Sequence, residues 1–120
     1  MSRDHRKLRV FQTADDAVET VYRATRGFPA EERFCLQAQL RRAALSVPCN
    51  IVEGCARRSS AEYLNFLNVA TGSAAEAGYL VDLSHRLGFL KAADHERLAG
   101  NYADIVSGLK ALVTALECRT

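Results

Sequence analysis

Two adjacent arginine pairs, Arg41-Arg42 and Arg57-Arg58, bracket the stretch 41–58. Guanidinium groups offer planar forks of N–H donors that match phosphate oxygens, so the chemistry these residues could perform is contact with a nucleic-acid backbone. The segment Met1–Lys7 adds Arg3, Arg6 and Lys7. No aromatic residue is interleaved with the arginine pairs, so a stacking platform for single-stranded bases is not expected around them. A structural use competes with the phosphate reading. Glu53 precedes Arg57 in the favourable i,i+4 order, and Arg41 or Arg42 could reach Glu76 or Glu62 on a neighbouring helix.

Catalytic chemistry lacks its parts. The chain holds no glycine-rich phosphate loop, no nucleophile elbow and no H-E-x-x-H. Asp82-x-x-His85 has the spacing of one di-iron ligand motif, but such a bundle requires two motifs and further carboxylates. His85 is instead expected near a helix end, where the negative dipole end favours it. His95 reads as a surface or partly buried side chain. Cys35, Cys49, Cys55 and Cys118 form no C-x-x-C pair, which argues against zinc and for buried free thiols. No catalytic residue, metal or cofactor is assigned, and the chain is read as non-enzymatic.

Beside the arginines runs a polar row, Ser46, Asn50, Glu53 and Arg57, spaced four, three, four on one helix face. It is either a solvated face or a hydrogen-bonded seam against another helix or subunit, with Glu76 as a candidate partner residue. A parallel apolar row, Leu36, Leu40, Ala43, Val47, Ile51 and Gly54, passes through Pro48 without losing phase. One helix bent at Pro48 is therefore expected over two helices and a loop.

The remaining elements follow the same period. Helix one is expected from about Leu8 to Arg26, with Phe11, Ala14, Val18, Val21, Thr25 and Phe28 facing inward. Gly27 suits a left-handed cap and Pro29 the first turn of helix two, so the connection is very short and helix two spans about Pro29 to Arg57. Ser59-x-x-Glu62 is a capping box that opens helix three. Its middle, Ala70 to Gly78, is almost all small residues, and close packing of another helix is expected to offset the cost of Gly72 and Gly78. Leu87-Gly88-Phe89-Leu90 ends that helix. Helix four runs from about Ala92 to Glu117, with Leu98, Tyr102, Ile105, Leu109, Leu112 and Leu116 as its seam.

The fold class is thus all-α, an up-down-up-down antiparallel four-helix bundle with a Pro-kinked second helix. It forms a single domain over 1–120, with residues 1–7 and 118–120 flexible. Net charge is +2 with an isoelectric point near 8.4. The excess is uneven, since residues 1–60 carry 11 Lys/Arg against 7 Asp/Glu and residues 61–120 carry 5 against 7. That balance falls short of a strongly basic nucleic-acid binder. No apolar run approaches the roughly 18 residues of a membrane span. Met1–Lys7 has no following apolar region, so a cytoplasmic location is expected.

The pieces Arg41-Arg42-Ala43-Ala44, Ser46-Val47-Pro48, Asn50-Ile51, Glu53-Gly54 and Arg57-x-Ser59 resemble the signature of a family of small bacterial four-helix-bundle proteins. Its first-described members are encoded in intervening sequences of large-subunit ribosomal RNA genes. Leu8-x-Val10-Phe11-Gln12, Phe28-Pro29-x-Glu31-Glu32-Arg33, Glu62-Tyr63 and Leu87-Gly88-Phe89-Leu90 extend the resemblance over nearly the whole chain. It implies a pentameric ring. A related group accompanies reverse transcriptases in diversity-generating retroelements and binds nucleic acid, which implies RNA or DNA, or a protein such as a reverse transcriptase, as partner. Two functions follow: a self-assembling accessory factor that binds the RNA or DNA backbone through Arg41, Arg42, Arg57 and Arg58, or an adaptor with no nucleic-acid binding.

Overall fold

The computed structural model describes residues 3–119. Four α-helices are found, α1 over Arg9–Thr25, α2 over Leu36–Cys55, α3 over Ser60–Arg86 and α4 over Ala92–Glu117. There is no strand among the described residues. Helix α1 packs on α2 and α4, α2 on α3, and α3 on α4, while the diagonal pairs make no close backbone approach. This is the neighbour cycle of an up-down-up-down antiparallel bundle, drawn out to 47 × 23 × 19 Å.

Helix α2 continues unbroken through Pro48, itself buried. Leu40, Ala43, Val47, Ile51 and Gly54 are buried in one line, so the phase argument for a single helix holds. In α1 the buried line is Ala14, Ala17, Thr20, Val21 and Thr25. Phe11 and Val18, expected inside, are only half buried. The alanines set the contact line, which lets neighbouring helices approach and turns the larger side chains to its edge. In α4, Leu98, Tyr102, Ile105 and Leu109 are buried, and Leu112 and Leu116 are half buried near the bundle's end.

Four expectations need correction. Helix two does not start at Pro29: that residue is extended (φ −56°, ψ 144°), a 3₁₀ turn covers Ala30–Glu32, and α2 begins only at Leu36. The reason is at Phe28, which is buried and sits 5.8 Å from the Phe89 ring, so the chain must cross the bundle's end before turning back. Glu32 then accepts a hydrogen bond from the Leu36 N–H at 3.4 Å and caps α2. Second, Gly27 is not left-handed: among the described residues only Gly88 has positive φ (81°), where it closes α3 as expected.

Third, Gly72 faces open space, with nothing within 4 Å of where a Cβ would stand, so close packing does not explain it. The close approach is at Gly54, where a Cβ would fall 2.9 Å from the Phe66 Cβ and 3.1 Å from the Tyr63 ring. Fourth, the cysteines are unpaired but mostly not buried. Cys35, Cys49 and Cys118 are exposed, and only Cys55 lies inside. Their positions follow the helix faces: Cys49 falls off the apolar row of α2, and Cys55 falls on its last turn.

The capping box is present in modified form. The Glu62 N–H donates to Ser59 Oγ at 3.1 Å, while the Ser59 hydroxyl donates to the Glu62 carboxylate. Residues 1, 2 and 120, part of the expected flexible ends, lie outside the described residues. The rest of the N-terminal arm has a defined conformation, a 3₁₀ turn at His5–Lys7 capped by Asp4, with the His5 ring edge-on to Phe11 at 4.7 Å. Among the described residues no helix is long and apolar enough to cross a membrane.

Candidate functional site

Arg41 and Arg42 lie in the second turn of α2, whereas Arg57 and Arg58 lie in the connection just beyond its end at Cys55. The helix from Arg41 to Cys55 alone spans about 21 Å at about 1.5 Å per residue, so one chain does not bring all four into a single patch. The pairs share an internal division instead. In each, one arginine serves the fold and the other has no carboxylate.

Arg41 is half buried and turned toward α1. Its Nε donates to Thr25 Oγ1 at 2.8 Å, its Nη2 donates to the Tyr22 carbonyl at 3.2 Å, and its guanidinium lies 4.4 Å from the Tyr22 ring centre. The Tyr22 carbonyl is among the last four of α1, which lack a backbone partner within the helix; the Thr25 hydroxyl approaches it only at 3.4 Å, and Arg41 caps it at 3.2 Å. Arg42 is exposed and donates to Gln39 Oε1 at 2.7 Å. Gln39 in turn donates to Glu76 at 2.6 Å. Arg42 therefore approaches Glu76 only by way of a neutral amide.

At the other end, Arg57 donates to Glu53 at 2.8 Å, lies 4.0 Å from Glu62, and places its guanidinium 5.0 Å from the Phe66 ring centre. The pair with Glu53 is half exposed and contributes only about 0.3–0.5 kcal/mol. Arg58 is exposed and has no hydrogen bond or ion pair among the described residues.

The polar row is divided too. Ser46 and Ser73 hydroxyls meet at 2.8 Å across α2 and α3. Asn50 donates to the Ser46 carbonyl at 2.7 Å and to its hydroxyl at 3.0 Å. These bonds are made inside one chain: Ser46 joins α2 to α3, and Asn50 bonds only to Ser46 of its own helix. Glu53 is taken by Arg57 and Glu76 by Gln39.

An arrangement missed in the sequence lies at the Arg57–Arg58 end. Arg3 reaches across to the α2–α3 turn, donating to the Arg57 carbonyl and to Ser60 Oγ, both at 3.2 Å, with its guanidinium 4.4 Å from the Tyr63 ring centre. A cleft of about 460 Å³ opens there, with Arg3, Lys7 and Arg119 around Leu8, Tyr63 and Leu116. Asp4 also borders it, but Arg6 holds both carboxylate oxygens, at 3.0 and 3.2 Å, and keeps that carboxyl below its usual range. The signal in the sequence was the basic arm. What the sequence withheld was where the arm docks.

At the opposite end the imidazoles of His85 and His95 stack at 4.2 Å with planes 7° apart. His95 Nε2 is 2.8 Å from Asp82, and His85 Nδ1 is 3.2 Å from the Leu90 carbonyl, so His85 carries its proton on Nδ1. Parallel stacked rings do not aim their nitrogens at a common point. The Asp82-x-x-His85 spacing thus fastens the α3–α4 turn. His95 is half buried by this contact.

The sequence profile of the family described as 23S rRNA-intervening sequence protein matches residues 6–111. Among solved structures, the chain is similar to a protein with unknown function from the S23 ribosomal protein family of Bacteroides thetaiotaomicron VPI-5482. The TM-score is 0.80 at 22% identity, over 88% of this chain and 95% of that one. At that identity the likeness speaks for the fold alone. No curated protein matches the chain.

Proposed function

The chain belongs to the 23S rRNA-intervening sequence protein family, and from that premise we propose that it is a non-enzymatic accessory factor that contacts the phosphate backbone of RNA. Ribosomal RNA is the class the family's name suggests. The observation that carries the reading is the division within each arginine pair. Arg41 and Arg57 are held by the fold, whereas Arg42 and Arg58 stand exposed without a carboxylate. Cations left so are free to replace counterions on phosphates.

The test is anisotropy titration of labelled ribosomal RNA fragments over a range of salt. Replacing Arg42→Ala and Arg58→Ala together should weaken binding on every sequence. If both contact phosphates, the slope of log K against log salt flattens by about 1.4–1.8, at 0.7–0.9 per contact. Variants are compared only at wild-type helicity and mass. An unchanged slope, or no binding by the wild type at low salt, removes the reading and leaves the adaptor function, in which a protein such as a reverse transcriptase is the partner.

Self-assembly is supported by a separate observation. Leu45 and Val52 of α2, 39% and 38% exposed, border an apolar groove with Phe11 and Val18 of α1. On α3, Val69 and Tyr79 are 47% and 57% exposed. Two different apolar faces suit a head-to-tail ring. The number five comes from the family resemblance. Light scattering tests it, and a single species of 13.2 kDa would exclude assembly.

A further inference from the structure

We propose that the cleft between the N-terminal arm and the end of α4 binds a nucleotide, with its phosphate on Lys7, Arg119 and Arg3 and its base against Leu8, Leu116 and the Arg3–Tyr63 pair. This is a site apart from Arg42 and Arg58, and it stands or falls separately from the reading above.

Charge gives the first argument. Three cations surround the opening, and the single carboxylate among the lining residues, Asp4, is already neutralised by Arg6. The Lys7 and Arg119 side chains are exposed and have no hydrogen bond or ion pair among the described residues; only their backbone N–H groups are bonded, to the Asp4 and Leu116 carbonyls. Arg3 uses two N–H groups on Arg57 and Ser60, and a guanidinium has five, so three remain. Its position is already fixed by those bonds and by Tyr63, so little ordering is needed when an anion arrives. The first turn of α3 also opens here at Ser60, adding the positive end of a 27-residue helix.

The floor gives the second argument. Leu8 and Leu116 are half buried and Tyr63 is buried, so the cations ring an apolar surface. Phosphate alone would leave that surface wet. A ligand with a flat apolar body and an anionic end covers both parts, and a cleft of about 460 Å³ lies within the roughly 300–1,000 Å³ usual for small-molecule sites. Unstacked bases settle on arginine guanidinium planes as well as on aromatic rings, and Arg3, laid over the buried Tyr63 ring, presents the outer face of such a plane. The nucleotide could be free or could be the 5′-phosphorylated end of a single strand. The chemistry is the same.

The experiment uses the full chain with methyl and tyrosine resonances followed by NMR. Adenosine 5′-monophosphate, adenosine and inorganic phosphate are titrated separately. The expected result is that the monophosphate shifts the Leu8 and Leu116 methyls and binds about tenfold or more tighter than either fragment, the effect of one charge-assisted contact. Lys7→Gln with Arg119→Gln, both on exposed residues, should reduce that affinity about tenfold while leaving the weak adenosine binding and the melting temperature unchanged. A 5′-phosphorylated tetranucleotide separates the sources: tighter binding than the monophosphate identifies a strand end, equal or weaker binding a free nucleotide. Equal binding of phosphate and monophosphate, shifts confined to residues outside the cleft, or affinity unchanged in the double variant would overturn the proposal. Arg42→Ala with Arg58→Ala should leave monophosphate binding intact, so failure of the backbone reading and failure of this one are distinguishable.

Discussion

Gly54 of α2 faces Phe66 of α3 so closely that a single methyl group at Gly54 would meet the Phe66 Cβ at 2.9 Å. Neither atom lies at the end of a flexible side chain, so the helices themselves must separate to admit it. Gly54→Ala should therefore destabilise the bundle by about 1–3 kcal/mol, despite the better helix propensity of alanine. Gly72→Ala enters open space and should stabilise by about 0.4–1 kcal/mol. Denaturant midpoints of the two variants check this, and equal signs would contradict it.

Arg41→Ala should cost stability where Arg42→Ala does not. Removing Arg41 deletes two charge-assisted bonds, leaving the buried Thr25 hydroxyl with only its own donation to the Val21 carbonyl and the Tyr22 carbonyl with only a 3.4 Å approach from that hydroxyl, a loss of about 1–3 kcal/mol. Arg42 releases only an exposed amide, so its variant should stay within about 0.5 kcal/mol of wild type. Thermal or chemical unfolding of both single variants decides it.

Tyr102 and Tyr63 make the fold sensitive to alkali. Burial pushes the Tyr63 phenol up to about 12 from an ordinary 10.0, raises Tyr102 as well, and lifts the Cys55 thiol above its ordinary 9.0. The folded chain thus holds these protons more tightly than the unfolded one. Their contribution is complete below about pH 9, where the unfolded thiol begins to ionise, and is lost as pH rises through the raised folded values, about 12 for Tyr63. Midpoints in guanidinium should be level in this respect at pH 7–9 and fall beyond. The Tyr102 hydroxyl is buried without a hydrogen-bond partner among the described residues, so Tyr102→Phe should not lower stability at pH 7 and should make the alkaline decline shallower.

Thiol reagent at neutral pH should modify Cys35, Cys49 and Cys118 quickly, and Cys55 only as the chain opens. In denaturant the count should be four. Cys49 lies in the groove between α1 and α2. If copies assemble through that groove, Cys49 leaves the fast group as concentration rises, which mass spectrometry of labelled peptides would register.

The parts of this fold legible in the sequence are those decided within one helix. The α2 row through Pro48, the Gly88 cap and the start of α4 at Ala92 all rest on spacing or local backbone chemistry. Failures occur where a second helix decides. Gly27 and Gly88 each precede a phenylalanine, but only Gly88 adopts positive φ. Pro29, Glu31 and Glu32 suit a helix start, but the burial of Phe28 against Phe89 diverts the chain into a 3₁₀ turn first. Arginines of one pair look alike in sequence. Only the presence of Tyr22 and Thr25 across from Arg41 separates it from Arg42. The docked arm was hidden for the same reason, since Arg3 finds its partners more than fifty residues away.

Because α4 lies against α1 as a full neighbour, the four helices close a cycle in which none is an end piece. Leu8 and Leu116 line the same cleft, so the first and last helices also bring their outer ends together. Chain order is then only one way of cutting that cycle. A short peptide joining residue 119 back to residue 3, with a new opening at the exposed Gly88, would yield a circular permutant with the same neighbours throughout. Its fresh ends would lie at the far end of a 47 Å bundle, and the cleft would be crossed by a continuous loop.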